Sequence, residues 1–71
     1  MINLGEKIKT LREEAQLSQD DLAKLINASQ QSVSRWENNV TEPSISFCVA
    51  LADYFQISLD TLVGRNSNNK F

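Results

Sequence analysis

Apolar residues recur along this chain at helical intervals. Leu4, Ile8, Leu11 and Ala15 follow the i, i+4, i+7, i+11 rule of one helical face, while Glu6, Lys7, Thr10, Glu13 and Glu14 fall mainly outside it. Asn3 can cap this first predicted helix, which ends near Ala15 or Gln16. Ser18 then offers a fresh N-cap, and Asp21 at the third helical position suggests a capping box ahead of an apolar stripe of Leu22, Leu25 and Ile26. That second helix is only about two turns long. Asn27 follows, and asparagine ranks next to glycine in its ability to take the left-handed conformation that stops a helix.

Ala28 completes the corner and Ser29 is again a good N-cap, so a third helix begins a few residues after the second ends. Two short helices joined by a tight turn have the spacing of a helix-turn-helix. The stretch "NNVTEP" breaks the pattern, and Pro43 with Ser44 restarts it for a fourth helix whose inner face is expected to be Ile45, Cys48, Leu51, Ala52 and Phe55. Ser58 caps a last short helix through Leu59, Leu62 and Val63, ended by Gly64, and residues 65–71, "RNSNNKF", are expected to form a flexible C-terminal tail. No internal repeat and no β-alternation competes with this pattern, so the expected fold is all-α, compact and built from about five helices.

Seventy-one residues suffice for one domain and leave no room for a second. Two glycines and one proline are few turn residues, which suits helices joined by short connections. The longest apolar run, Cys48 to Ala52, falls far below the roughly 18 residues a bilayer crossing needs, and the start "MINLGEKIK" lacks the apolar block of a signal peptide. A cytoplasmic protein without membrane contact is expected. Histidine is absent and the single cysteine, Cys48, lies in the apolar row "SFCVALADYF", where it reads as a buried thiol. This removes the usual nucleophile pairs and zinc patterns; Glu13 with Glu14 and Asp20 with Asp21 read as solvated charge and helix-start electrostatics. Neither an enzyme nor a metal or cofactor site is expected.

The third helix carries the unusual chemistry. With Val33 at the centre of the buried face and about 100° per residue, Trp36 and Glu37 lie inward, Gln31, Ser34, Arg35 and Asn38 point away, and Gln30 sits at the edge. A solvated helix face more often carries lysine and glutamate. Glutamine can offer a donor and an acceptor together to adenine N6 and N7, arginine can fork onto guanine O6 and N7, and small serines allow close approach to a groove floor. Neutral surface filling is the competing reading of these residue types; the turn geometry favours DNA. The formal charge of -2 argues against a nucleic-acid binder, because nonspecific attraction to phosphate scales with basic residues. Helix starts answer part of that objection: Ser18 and Gln19, and Ser29, can expose backbone N–H groups to a phosphate. Glu37, inward-facing, needs a partner, and Arg12 beside the first apolar stripe is the natural one; the alternative is that both snorkel to solvent.

The run "LSQDDLAKLINASQQSVSRWEN", followed by "EPSISFCVALADYFQISLDTLVG", strongly resembles the Cro/C1-type (XRE-like) helix-turn-helix family of bacterial and phage regulators, over roughly Leu4 to Gly64. The resemblance implies that residues 1–64 form a five-helix, lambda-repressor-like DNA-binding domain whose third helix enters the major groove. It implies that Gln30, Gln31, Ser34 and Arg35 read bases, with Gln19 helping to orient Gln30. Ser18, Gln19, Ser29, Ser32 and Asn38 would contact the DNA backbone, and Arg12 with Glu37 would form a buried ion pair. The chain departs from the family in having Asn27 and Asn39 where glycine is common. Its connection "NVTEP" carries Glu42 and no positive charge where the family is often basic.

One recognition helix on a globule with a radius of gyration near about 11 Å reads only a few base pairs, which favours a homodimer on an inverted repeat with helices about 34 Å apart. Phe47, Tyr54, Ile57 and Val63 are candidate interface residues, with extra core contacts as the equal alternative. The expected function is that of a transcriptional regulator, a repressor in preference to an activator, with double-stranded DNA as partner and no evident small-molecule effector. The rival is a protein-interaction adaptor or antitoxin-like module on the same fold.

Overall fold

The computed structural model describes residues 3–64 and contains five α-helices: α1 (Leu4–Glu14), α2 (Gln19–Leu25), α3 (Gln30–Glu37), α4 (Ile45–Phe55) and α5 (Leu59–Leu62). The expected tail, residues 65–71, lies outside the described residues. Every helix starts on a side-chain cap. Asn3, Ser18, Ser29, Ser44 and Ser58 each accept a hydrogen bond from the backbone N–H three residues on, and Ser18 with Asp21 completes a capping box.

The helix ends follow one rule as well. Gln16, Asn27, Asn39 and Gln56 take positive φ near 60°, and Gly64 takes φ 80°. At the first four, paired bonds of the Schellman type close the last turn: Leu17 N–H reaches Arg12 O at 3.0 Å, Ala28 N–H reaches Ala23 O at 2.8 Å, Val40 N–H reaches Arg35 O at 2.9 Å, and Ile57 N–H reaches Ala52 O at 3.0 Å. Leu17, Ala28 and Ile57 pack against the core from these positions. Burial of the residue after the turn thus offsets the cost of a left-handed glutamine at 16 and 56.

The core takes one fully enclosed side chain from each helix: Ile8, Leu22, Val33, Leu51 and Leu62 are all 0% exposed. Ala23, Ile26, Trp36, Cys48 and Ala52 complete it, and Phe47 leans on Trp36 with ring centroids 5.2 Å apart. α3 is the central element, packed against α1 on one side and α2 on the other, while α5 ties α4 to α1. The Cys48 thiol is buried with its Sγ 3.8 Å from Pro43 O, and burial, with Glu42 adding a smaller effect, pushes its pKa up. Among the described residues no helix is long and apolar enough to cross a membrane.

Three residues expected to face inward do not. Ala15 is the exposed C-cap of α1, past the end of its apolar stripe. Leu25 is 51% exposed in the last turn of α2, where Leu22 and Ile26 already occupy the core-facing positions. Ile45 is 77% exposed because it is the first residue of α4, ahead of the turn that reaches the core through Cys48. Gly5, which carried no signal in the apolar pattern, is buried. A Cβ there would collide with the Trp36 carbonyl oxygen and lie 2.8 Å from Glu37 O and 2.7 Å from Asn39 Oδ1. Only glycine lets the first turn of α1 rest on the C-terminal end of α3.

Candidate nucleic-acid interface

The position of α3 is fixed from inside. Arg12 projects from α1 to Glu37 in the last turn of α3, its Nε donating to Oε2 at 2.6 Å and its Nη2 to Oε1 at 3.1 Å. The third donor, Nη1, reaches Leu17 O at 2.8 Å. The fork matches the carboxylate in bidentate fashion. Side-chain exposure is 12% for Arg12 and 3% for Glu37. The hydrogen bonds to Glu37 raise the Arg12 pKa above its ordinary value, against the opposing effect of burial.

The same carboxylate reaches α2. Gln19 Nε2 donates to Glu37 Oε1 at 3.0 Å, and Gln30 Nε2, at the start of α3, donates to Gln19 Oε1 at 2.7 Å. A continuous polar chain therefore runs from the guanidinium in the interior through Glu37 and Gln19 to Gln30, which is exposed. Among the described residues no buried side-chain polar atom lacks a partner.

On the outward side of α3, Gln30, Gln31, Ser34 and Arg35 occupy positions i, i+1, i+4 and i+5, which share one helix face. Gln30, Gln31 and Arg35 are exposed and Ser34 is half-buried. Among the described residues Gln31 and Arg35 make no side-chain hydrogen bond or ion pair, so their polar ends are free to meet a ligand. Asn38 folds back over the end of the helix, its Nδ2 donating to Ser34 O at 2.9 Å and approaching Ser34 Oγ at 3.4 Å.

The hydroxyls near the helix starts are already engaged as caps. Ser29 Oγ accepts from Ser32 N–H at 3.1 Å and lies 2.9 Å from Ser32 Oγ. Ser18 Oγ accepts from Asp21 N–H at 2.9 Å, which leaves its own hydrogen available to a phosphate. Ser18 N–H, by contrast, donates to Asp21 Oδ2 at 3.1 Å. That bond, first among several effects, holds the Asp21 pKa below its ordinary value. Asp20 and Asp21 also place two negative charges in the first turn of α2, which oppose an anion there, and Asp20 takes Lys24 into an i, i+4 pair at 3.2 Å.

Of the four residues expected at a dimer contact, Phe47 and Ile57 are half-buried against the core, whereas Tyr54 and Val63 are 43% and 41% exposed. Val63 borders an open groove of about 520 Å³ between the start of α1, the end of α3 and the start of α4, lined also by Leu4, Pro43 and Ile45. The sequence pattern gave no sign of the Glu37–Gln19 contact, because Glu37 and Gln19 belong to different helices and meet only once α1 and α2 flank α3.

Comparison with known proteins agrees with the fold. The helix-turn-helix family matches residues 8–62. Repressor protein C2 of Salmonella phage P22 is 33% identical over 60 residues, covering 84% of this chain and 28% of the relative. Antitoxin PezA of Streptococcus pneumoniae is 30% identical over 63 residues, covering 89% of this chain and 40% of the relative. The chain thus spans well under half the length of these curated relatives. A crystal structure of the P22 c2 repressor in complex with a synthetic operator superposes with a TM-score of 0.81 at 32% identity, over 87% of this chain and 94% of that one.

Proposed function

The chain belongs to the helix-turn-helix family, and from that premise we propose that it is a sequence-specific DNA-binding transcriptional repressor that reads double-stranded DNA with α3 in the major groove. The observation that carries this reading is the outward face of α3. Gln30, Gln31, Ser34 and Arg35 stand together on a helix whose other side, Val33 and Trp36, is locked in the core. Amides and a guanidinium so presented match the edges of adenine and guanine. The structural likeness to an operator-bound repressor supports the same docking.

In this reading Gln30, Gln31, Ser34 and Arg35 contact bases, and Ser18, Gln19, Ser29, Ser32 and Asn38 lie along the phosphates. The protein acts in the cytoplasm, where its DNA is, and requires no metal or cofactor for this task. It works as a homodimer on an inverted repeat, with Tyr54 and Val63 as the expected contacts that offer the most surface and exposed Ile45 beside Val63 as an addition. With Glu42 and no cation in the α3–α4 connection, phosphate grip is modest and affinity depends on pairing of two copies.

Selection of binding sites from a random duplex library, at two salt concentrations and with Arg35→Ala, tests the proposal. Enrichment of half-sites about one helical turn apart, with a loss of about 1 to 3 kcal/mol on the selected site and relaxed preference at one base in the variant, is the expected result. No enrichment at either salt would refute it. That outcome would favour the second reading, a protein-interaction module of the antitoxin kind, for which the likeness to PezA speaks.

A further inference from the structure

We propose that Glu37, buried and remote from any base, is a positioning residue that sets which atom of the Gln30 amide faces which atom of the DNA, and thereby the base preferred there. The inference rests on the reading of α3 as the DNA-facing helix and adds to it a role for a carboxylate that touches no ligand.

A glutamine amide has a donor end and an acceptor end of nearly equal size, so packing alone cannot orient it. Here the chain of contacts removes the ambiguity. Both oxygens of Glu37 accept from the Arg12 fork, and a carboxylate so paired offers only acceptors to its other neighbours. Gln19 must therefore turn its Nε2 to Glu37 Oε1, 3.0 Å away, which leaves its Oε1 pointing along the chain. That oxygen in turn admits only a donor, so Gln30 presents its Nε2 at 2.7 Å. Gln30 is left with one amide hydrogen and its carbonyl oxygen, in a fixed order on the outward face. In the major groove, adenine is the base with an acceptor (N7) beside a donor (N6–H), and it complements such a pair in bidentate fashion. With the order reversed, the amide oxygen would meet N7 and the amide nitrogen N6–H, two like contacts.

The direction of the relay originates in the fixed negative charge of Glu37, because every later member could be flipped without it. Arg12 contributes by holding that charge in place, and Gln19 transmits it. This separates Glu37 and Gln19 from residues that merely support the fold: their loss should alter preference at one base pair and leave preferences elsewhere intact. Gln31 and Arg35 take no part in the chain, so the positions they read supply internal controls.

The test uses the purified chain and duplexes carrying the selected site with all four base pairs, in turn, at the position whose preference is abolished by Gln30→Ala. Wild type is expected to prefer adenine there by roughly 5- to 150-fold, the discrimination a good bidentate contact supplies. Gln19→Leu leaves the Arg12–Glu37 pair whole and should reduce that preference to within about threefold while preserving the preferences lost in Arg35→Ala. Glu37→Gln, which can both donate and accept, should reduce it in the same place; if that variant does not fold, Gln19→Leu carries the test. Side-chain amide resonances in the DNA-free protein give a second readout: those of Gln30 are expected to move in Gln19→Leu, and those of Gln19 and Gln30 together in Glu37→Gln. A wild type that selects DNA while Gln19→Leu keeps the full adenine preference overturns the relay and leaves the DNA reading standing. A wild type that selects no DNA overturns the DNA reading, and the relay with it as a determinant of base preference, whatever the amide resonances do.

Discussion

Arg12→Met removes the guanidinium and keeps most of the aliphatic volume, so its effect isolates the charge. The carboxylate of Glu37, 3% exposed, would retain only the Gln19 N–H, and Leu17 O would lose the Arg12 donor. Stripping one partner from a buried pair costs about 3–5 kcal/mol, and the 12% exposure of Arg12 places the expected loss near the lower end, about 3 kcal/mol. A domain of this size has roughly 4–10 kcal/mol in total, so the variant should melt about 12–24 °C earlier. Adding Glu37→Gln to it removes the unpaired charge while keeping a partner for Gln19, and should restore stability to within about 2 kcal/mol of wild type. Urea denaturation followed by circular dichroism on the wild type, both single variants and the double variant provides the cycle. A loss under about 1 kcal/mol in Arg12→Met, or a double variant as weak as the sum of the singles, would refute the claim that the pair holds α3 between its neighbours.

Three further outcomes follow from the geometry. Gly5→Ala should destabilise by more than about 2 kcal/mol in the same denaturation assay, because the added methyl meets backbone carbonyls at the end of α3 and not the tip of a flexible side chain. Gln56→Gly should stabilise by about 1 kcal/mol, since its φ of 57° is strained for any residue with a Cβ; no gain would mean that the left-handed conformation costs the glutamine nothing here. Asp21 has a folded pKa below its unfolded one, so it contributes stability at pH above the unfolded value, and this is lost as pH falls through the folded value. Asp21→Asn should therefore flatten the acid limb of a stability-against-pH curve, and an unchanged limb would count against the capping box as its source.

Much of the architecture was legible because caps and periodicity are local signals. Ser18, Asp21, Asn27 and Ser29 bracket α2 and α3 within a residue, and the step of 100° from Val33 separates the outward amides from Trp36 and Glu37. Readings failed where the deciding force came from elsewhere in the chain. Ile45 and Ala15 sit at helix ends, where apolar spacing no longer specifies a face. Gln16 and Gln56 carry no left-handed signature of their own; their conformation is imposed by Leu17 and Ile57 reaching the core. Gly5 reads as a weak point in a helix until α3 is placed against it. Within the candidate site, the order of the amides could not be read from sequence, because it depends on a carboxylate whose distance to Gln19 is a property of the packed structure.

The seat of α1 on α3 at Gly5 joins opposite poles. The first turn of α1, the partially positive end of that helix, lies at Gly5 against Trp36 O and Glu37 O at the partially negative end of α3. This attraction lies between backbone dipoles in close contact at the buried Gly5, a separation at which mobile ions screen little. High salt, which strips a protein from phosphates, therefore leaves the mounting of the third helix intact. The salt sensitivity of this protein should accordingly be a property of its grip on a polyanion and not of its shape.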